Sequence, residues 1–164
     1  MVYPRGVSRP SSPRDALVAD LLAAMPRFQE ATDAVDEAAA RALGINRTDL
    51  RCLGLLDHGP SSPSALAEQL QLSRGAMTTV LDRLEAAGWA RRGPDPDDRR
   101  ALRIELTDAA RTRIGALWGP IAMEGAGLLD EHGDAELRAM LRFLRDATAL
   151  QLRHAKRIAD EPPP

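Results

Sequence analysis

Arginine carries most of the chemistry this sequence can offer. Between Ser73 and Arg103 stand seven Arg against five acidic residues, and Arg91, Arg92, Arg99, Arg100 and Arg103 gather in the second half of that stretch. Upstream, Ser62 and Ser73 each precede a short run with helical apolar spacing, where a hydroxyl caps the helix start and free amides point outward. Arg74, Thr78, Thr79 and Arg83 share the run after Ser73. Short hydroxyls flanked by cations suit the phosphate oxygens and base edges of duplex DNA. The plainer alternative is an amphipathic surface helix followed by a solvated loop of mixed charge. Catalysis has no comparable constellation. His58, His132 and His154 are scattered without metal-ligand spacing, and neither a glycine-rich phosphate loop nor a nucleophile motif is present. Neither a cofactor nor a metal is expected.

The elements that must position these residues can be read from periodicity and punctuation. From Arg14 to Leu43, the residues Leu17, Leu21, Met25, Phe28, Val35, Ala39 and Ala42 recur at helical spacing. Pro26 is expected to break or kink that helix, because it lacks an amide donor and its ring clashes with the preceding turn. Gly44 is a stop signal, and Asn46 or Arg47 starts a second helix over 47–57 that ends before Gly59-Pro60. A Pro63 helix to Leu70, a turn at Gln71-Leu72 and a helix backed by Met77, Val80, Leu81 and Leu84 make a helix-turn-helix, in which the first helix braces the second against the major groove. Residues 89–92 then read as one strand and Leu102, Ile104 and Leu106 as another, with Gly93 to Asp98 as the turn between them. Two strands alone are marginal, so the hairpin must lean on the helices. Thr107-Asp108 opens a helix containing Ile114, Leu117, Trp118 and Ile121, with Pro120 as a second kink, and Asp134 is read as the cap of a last, long helix.

Length and composition bound these readings. The chain has 164 residues, enough for one domain of ordinary size. Apolar residues make up 44% but aromatics only 3%, so the core must be Leu, Ala, Ile, Val and Met, which favours packed helices. Net charge is -2, so attraction to nucleic acid must be local. Lys156 is the single Lys among 22 basic residues, a bias that fits forked phosphate contacts and equally a GC-rich genome. Cys52 is alone, which excludes an intrachain disulfide and fits a reducing cytoplasm. In its apolar helix it reads as an inert buried thiol, with oxidant sensing as the alternative. No apolar run reaches the length of a membrane span, and Met1 to Pro13 lacks the apolar core of a secretory signal. A cytoplasmic protein without a membrane partner is therefore expected.

The runs Leu66-Ala67-Glu68, Leu72-Ser73-Arg74-Gly75-Ala76-Met77-Thr78, Leu81-Asp82-Arg83-Leu84-Glu85-Ala86-Ala87-Gly88-Trp89, Asp95-Pro96-Asp97-Asp98-Arg99-Arg100 and Ile104-Glu105-Leu106-Thr107 resemble the MarR family of bacterial transcriptional regulators. These motifs all fall within residues 66–107. The resemblance implies a mainly α winged helix-turn-helix protein with a two-stranded β-wing and long N- and C-terminal dimerisation helices. It implies a homodimer on an operator of double-stranded DNA, acting as a repressor released by a small phenolic or other effector. A winged-helix module for protein contact, without specific DNA binding, is the alternative. The expected regions are a disordered arm (1–13), an N-terminal dimerisation helix (14–46), the DNA-binding region (47–107), C-terminal dimerisation helices (108–160) and a disordered tail (161–164). Carried across, Ser73, Arg74, Thr78, Thr79 and Arg83 look like recognition-helix contacts, and Arg100 looks like the wing-tip arginine, tethered by Asp98. Ser62 and Arg99 join the expected contacts, and Asp97 the expected stiffeners of the wing. Trp89 looks like a packing residue between helix and wing. Arg51, His58 and Trp118 are the expected liners of an effector cleft, each with a duller reading as a surface ion, a helix-end cap and a core aromatic.

Overall fold

Capping side chains decide where the helices begin. In the computed structural model, which describes residues 12–94 and 102–161, Ser12, Asn46, Ser62 and Ser73 each accept a hydrogen bond from the backbone amide three residues on. They start α1 (Pro13–Leu43), α2 (Arg47–Asp57), α3 (Pro63–Leu70) and α4 (Arg74–Ala86). Each cap satisfies one of the amides a helix leaves unpaired at its start. Ends are equally local. Gly44 adopts φ +67° and returns its amide to the carbonyls of Ala40 and Arg41, closing α1 as the sequence suggests. Gln71 takes the left-handed conformation between α3 and α4, which makes the short helix-turn-helix connection.

Strands β1 (Ala90–Pro94) and β2 (Leu102–Leu106) pair antiparallel, Ala90 opposite Leu106 and Pro94 opposite Leu102. The first strand therefore extends past Arg92, and Gly93 and Pro94, expected in the turn, belong to it. A third, minimal strand was not foreseen: Ser61 exchanges two backbone hydrogen bonds with Ile104, at 3.0 and 2.8 Å. It ties the lead-in of α3 to the outer edge of β2. The expected disordered arm up to Ser11, the wing tip from Asp95 to Ala101 and the tail from Pro162 lie outside the described residues.

α1 runs through Pro26 without a break, because a helix of 31 residues outweighs the single lost amide bond. The long last helix, α6 (Asp134–Asp160), is capped by Gly133 and not Asp134, and the Glu136 carboxylate accepts the Gly133 amide at 2.9 Å. α5 (Asp108–Gly127) starts where expected, with Thr107 accepting the Ala110 amide, and Pro120 lies inside it.

By internal contacts the chain divides after Arg113. The first unit holds α1 to α4, the hairpin and the first residues of α5. Its core is aliphatic: Leu53, Leu56, Leu66, Met77, Leu84, Ile104 and Leu106 are almost wholly buried. Each such side chain contributes roughly 1.5–3 kcal/mol of burial. Arg47 joins α2 to α1 through Asp33 at 2.7 Å, and the guanidinium holds the Asp33 carboxyl below its ordinary range. In the second unit α6 buries no residue, although Leu141, Leu144 and Leu152 line up along it. Among the described residues no helix is long and apolar enough to cross a membrane.

Candidate nucleic-acid interface

α4 is two-faced, as its spacing requires. Met77, Val80, Leu81 and Leu84 are buried and hold it against the lobe. Arg74, Thr78, Thr79 and Asp82 lie exposed on the other side. Arg74 sits in the first turn, where the positive end of the helix dipole adds to its charge, and has no acidic partner among the described residues. Thr78 and Thr79 donate their hydroxyl protons back to the carbonyls of Arg74 and Gly75, at 3.0 and 3.2 Å. So oriented, each hydroxyl oxygen can still accept, as from an adenine or cytosine amino group.

Beside them the N-terminus of α3 and strand β2 complete a hollow of about 420 Å³, with Ser62, Ser64, Arg74, Thr78 and Leu102 on its wall. The structure thus brings Ser62, Arg74 and Thr78 together. The Ser62 hydroxyl is occupied as a cap, accepting the Ala65 amide at 3.2 Å, with Ser64 against it at 3.0 Å. Ser73 likewise accepts the Ala76 amide. At α3 the cap and Pro63 leave only the Ser64 amide of the first turn without a helix or cap partner, and at α4 the amides of Arg74 and Gly75 are left.

Arg83 has a partner within the lobe. Its Nε and Nη2 donate to the two carboxylate oxygens of Asp49 on α2, at 2.7 and 2.5 Å, and this partnership pushes the Arg83 pKa further up. Two bonds to one carboxylate fix the direction of the guanidinium, while the Arg83 side chain stays 45% exposed. Asp49 is 1% exposed, the one buried charged side chain among the described residues. It was missed because its partner lies 34 positions away, and in sequence it reads as an ordinary first-turn acid.

Ion pairs also set the wing. Arg92 Nη2 donates to Asp82 at 2.5 Å, its Nη1 lies 3.5 Å from Glu85, and its backbone amide reaches the Glu85 carboxylate. Arg91 pairs with Glu105 directly across the hairpin at 2.8 Å. Both arginines stiffen the base of the wing and are not spare cations. Trp89 is 4% exposed between α4 and β1, with the Arg113 guanidinium over its ring at 5.2 Å. The packing role expected of it holds. Asp97, Asp98, Arg99 and Arg100 lie outside the described residues.

The expected effector liners fall in both units. Arg51 and His58 are exposed on α2, His58 as its C-terminal cap, and Trp118 is half-buried on the part of α5 in the second unit. Cys52 is fully buried, and burial, with the nearby Asp49 charge, pushes its thiol up to about 11. That is the inert state the sequence suggests. Among the described residues no three His, Cys, Asp or Glu side chains cluster to hold a metal.

Known proteins match this arrangement. The MarR family model matches residues 43–101, from the last residue of α1 to the edge of β2. An uncharacterized HTH-type transcriptional regulator, YcgE of Bacillus subtilis, is 33% identical over 123 residues, covering 74% of this chain and 80% of its own. The HTH-type transcriptional regulator PecS of Dickeya dadantii is 49% identical over 47 residues, 29% of this chain and 28% of PecS. The crystal structure of a mutant MepR, from a multidrug-resistant S. aureus clinical isolate, superposes with a TM-score of 0.64 over 80% of this chain and 96% of MepR, at 16% identity, a likeness of fold. The chain belongs to the MarR family of DNA-binding helix-turn-helix transcriptional regulators.

Proposed function

We propose that the protein binds a near-palindromic operator as a homodimer, with the α4 helices of the two subunits in successive major grooves roughly 34–36 Å apart. The observation that supports this most is the division of labour on α4: four apolar side chains bury one face, and Arg74, Thr78 and Thr79 stand exposed beside the hairpin. In this reading Arg74 and the amides at the starts of α3 and α4, capped by Ser62 and Ser73, take phosphates. Thr78 and Thr79 meet base edges. Arg99 and Arg100 carry the wing's contacts, steadied by Asp97 and Asp98. Binding blocks transcription, and a small phenolic or other effector held near Arg51, His58 and Trp118 favours a dimer state of lower DNA affinity.

The test is a mobility shift on the DNA upstream of the protein's own gene. Binding should weaken steeply with salt, by about 0.9 in log affinity per decade for each neutralised phosphate. Arg74→Ala and Arg100→Ala should weaken binding to all duplexes alike, whereas Thr79→Ala should change which operator bases matter. Salt-insensitive binding, or an Arg100→Ala protein as tight as the parent, defeats the respective assignment.

A further inference from the structure

The two ends of α4 are held differently. In its last turns Asp82, Arg83 and Glu85 are each tied to another element: Arg83 to Asp49 of α2, and Asp82 and Glu85 to Arg92 of β1. In its first half the side chains of Arg74, Thr78 and Thr79 make no ion pair or hydrogen bond to any other described element. One end is fastened and the other is presented.

We propose that Asp49 and Arg83 form the fastening that sets the pose of α4, so that Arg83 is a positioning residue for operator reading and not a phosphate or base contact. Swinging the Arg83 fork toward DNA would strand a buried carboxylate, because Asp49 is 1% exposed and has no other ionic partner among the described residues. The two-pronged geometry fixes direction as well as distance, which a single bond to a lysine could not do. Position makes the fastening consequential. Arg74 lies nine residues from Arg83, about 13 Å along the helix axis. A tilt of about 5° at Arg83 therefore moves the Arg74 backbone by about 1 Å, enough to spoil hydrogen bonds that tolerate only about 0.5 Å. Arg92, gripping the same helix turn from the wing side, leaves α4 one orientation between two ionic anchors.

The inference rests on operator binding, so the parent protein's binding to its operator is the control that separates failure of the one from failure of the other. Affinity is measured for the operator and for an unrelated duplex across a salt series, with Asp49→Asn, Arg83→Gln and Arg83→Lys, each checked for parental helicity by circular dichroism. The ratio of operator to unrelated affinity is expected to fall about tenfold or more in all three. The salt slope on the unrelated duplex should stay parental in Arg83→Gln, because no phosphate contact is lost. A slope shallower by about 0.9 per subunit in Arg83→Gln, with Asp49→Asn at the parental ratio, would make Arg83 a DNA contact and overturn the proposal. Equal losses on both duplexes would also overturn it, since a pose defect must discriminate. Should Asp49→Asn fail to fold, Arg83→Lys still decides: a parental ratio with the charge kept and the fork lost shows that the geometry does not matter.

Discussion

Cys52 shows how one buried atom links packing to a measurable titration. Its neutral thiol is favoured in the folded chain, where its pKa stands at about 11 against an ordinary 9.0. Unfolded chains therefore ionise first as pH rises. The stability this group supports is intact below about pH 9 and declines between about 9 and 11, by up to about 3 kcal/mol. Urea midpoints at pH 8 and pH 10.5 should fall further for the parent than for Cys52→Ala; equal falls would refute the assignment. In native protein at pH 8 a disulfide exchange reagent should react with Cys52 only as fast as the chain opens, and DNA affinity after peroxide treatment should be unchanged. Arg83 teaches a different lesson at the same scale. Residue type and place on the helix both suited a groove contact, and only the buried Asp49 across the lobe shows that Nε and Nη2 are already engaged.

At the scale of elements, what the sequence revealed and what it hid divide by range. Helix starts at Asn46, Ser62 and Ser73 and the stop at Gly44 were legible, because a cap is decided within four residues. The apolar face of α4 was legible for the same reason. The Ser61 bridge to β2, the Arg92 clasp on α4 and the Arg113 contact on Trp89 were not, since each joins segments whose separation in sequence carries no periodic signal. At Pro26, where proline allows a break or a kink, the length of the helix around it excludes the break. One hydroxyl shows how such joints hold the wing in place. Thr107 donates to the Gly88 carbonyl at 2.7 Å and accepts the Ala110 amide at 3.1 Å, so it stitches the turn between α4 and β1 to the start of α5. Gly88 there adopts φ +74°, which a side chain would strain. Thr107→Val, nearly the same shape, should cost about 1–2 kcal/mol in denaturant unfolding. A loss below about 0.3 kcal/mol would show that the stitch contributes nothing.

Across the whole molecule the unpaired apolar surface is the dominant physical fact. Leu17, Leu21, Leu22 and Phe28 on α1 are each more than half exposed, as are Phe143, Leu144, Leu152 and Ile158 on α6. Both helices carry the apolar periodicity of elements that pack, yet within the chain α1 buries only Ala39 and Ala40 and α6 buries nothing. Contiguous faces of this kind are costly to leave in water and typify subunit contacts. The proposed homodimer covers them with a second copy, which also supplies the second α4 that a two-fold operator requires. If so, assembly and DNA affinity must fail together. Leu144→Arg places a charge in the α6 face and changes no residue of the lobe that carries α4. Sedimentation should then show a monomer at micromolar concentration where the parent is a dimer. Operator affinity should drop by at least about a hundredfold, because each half-site is bound without the help of its twin. A Leu144→Arg chain that remains dimeric would move the contact off this face of α6, and one that is monomeric yet binds the operator as tightly as the parent would refute two-fold recognition.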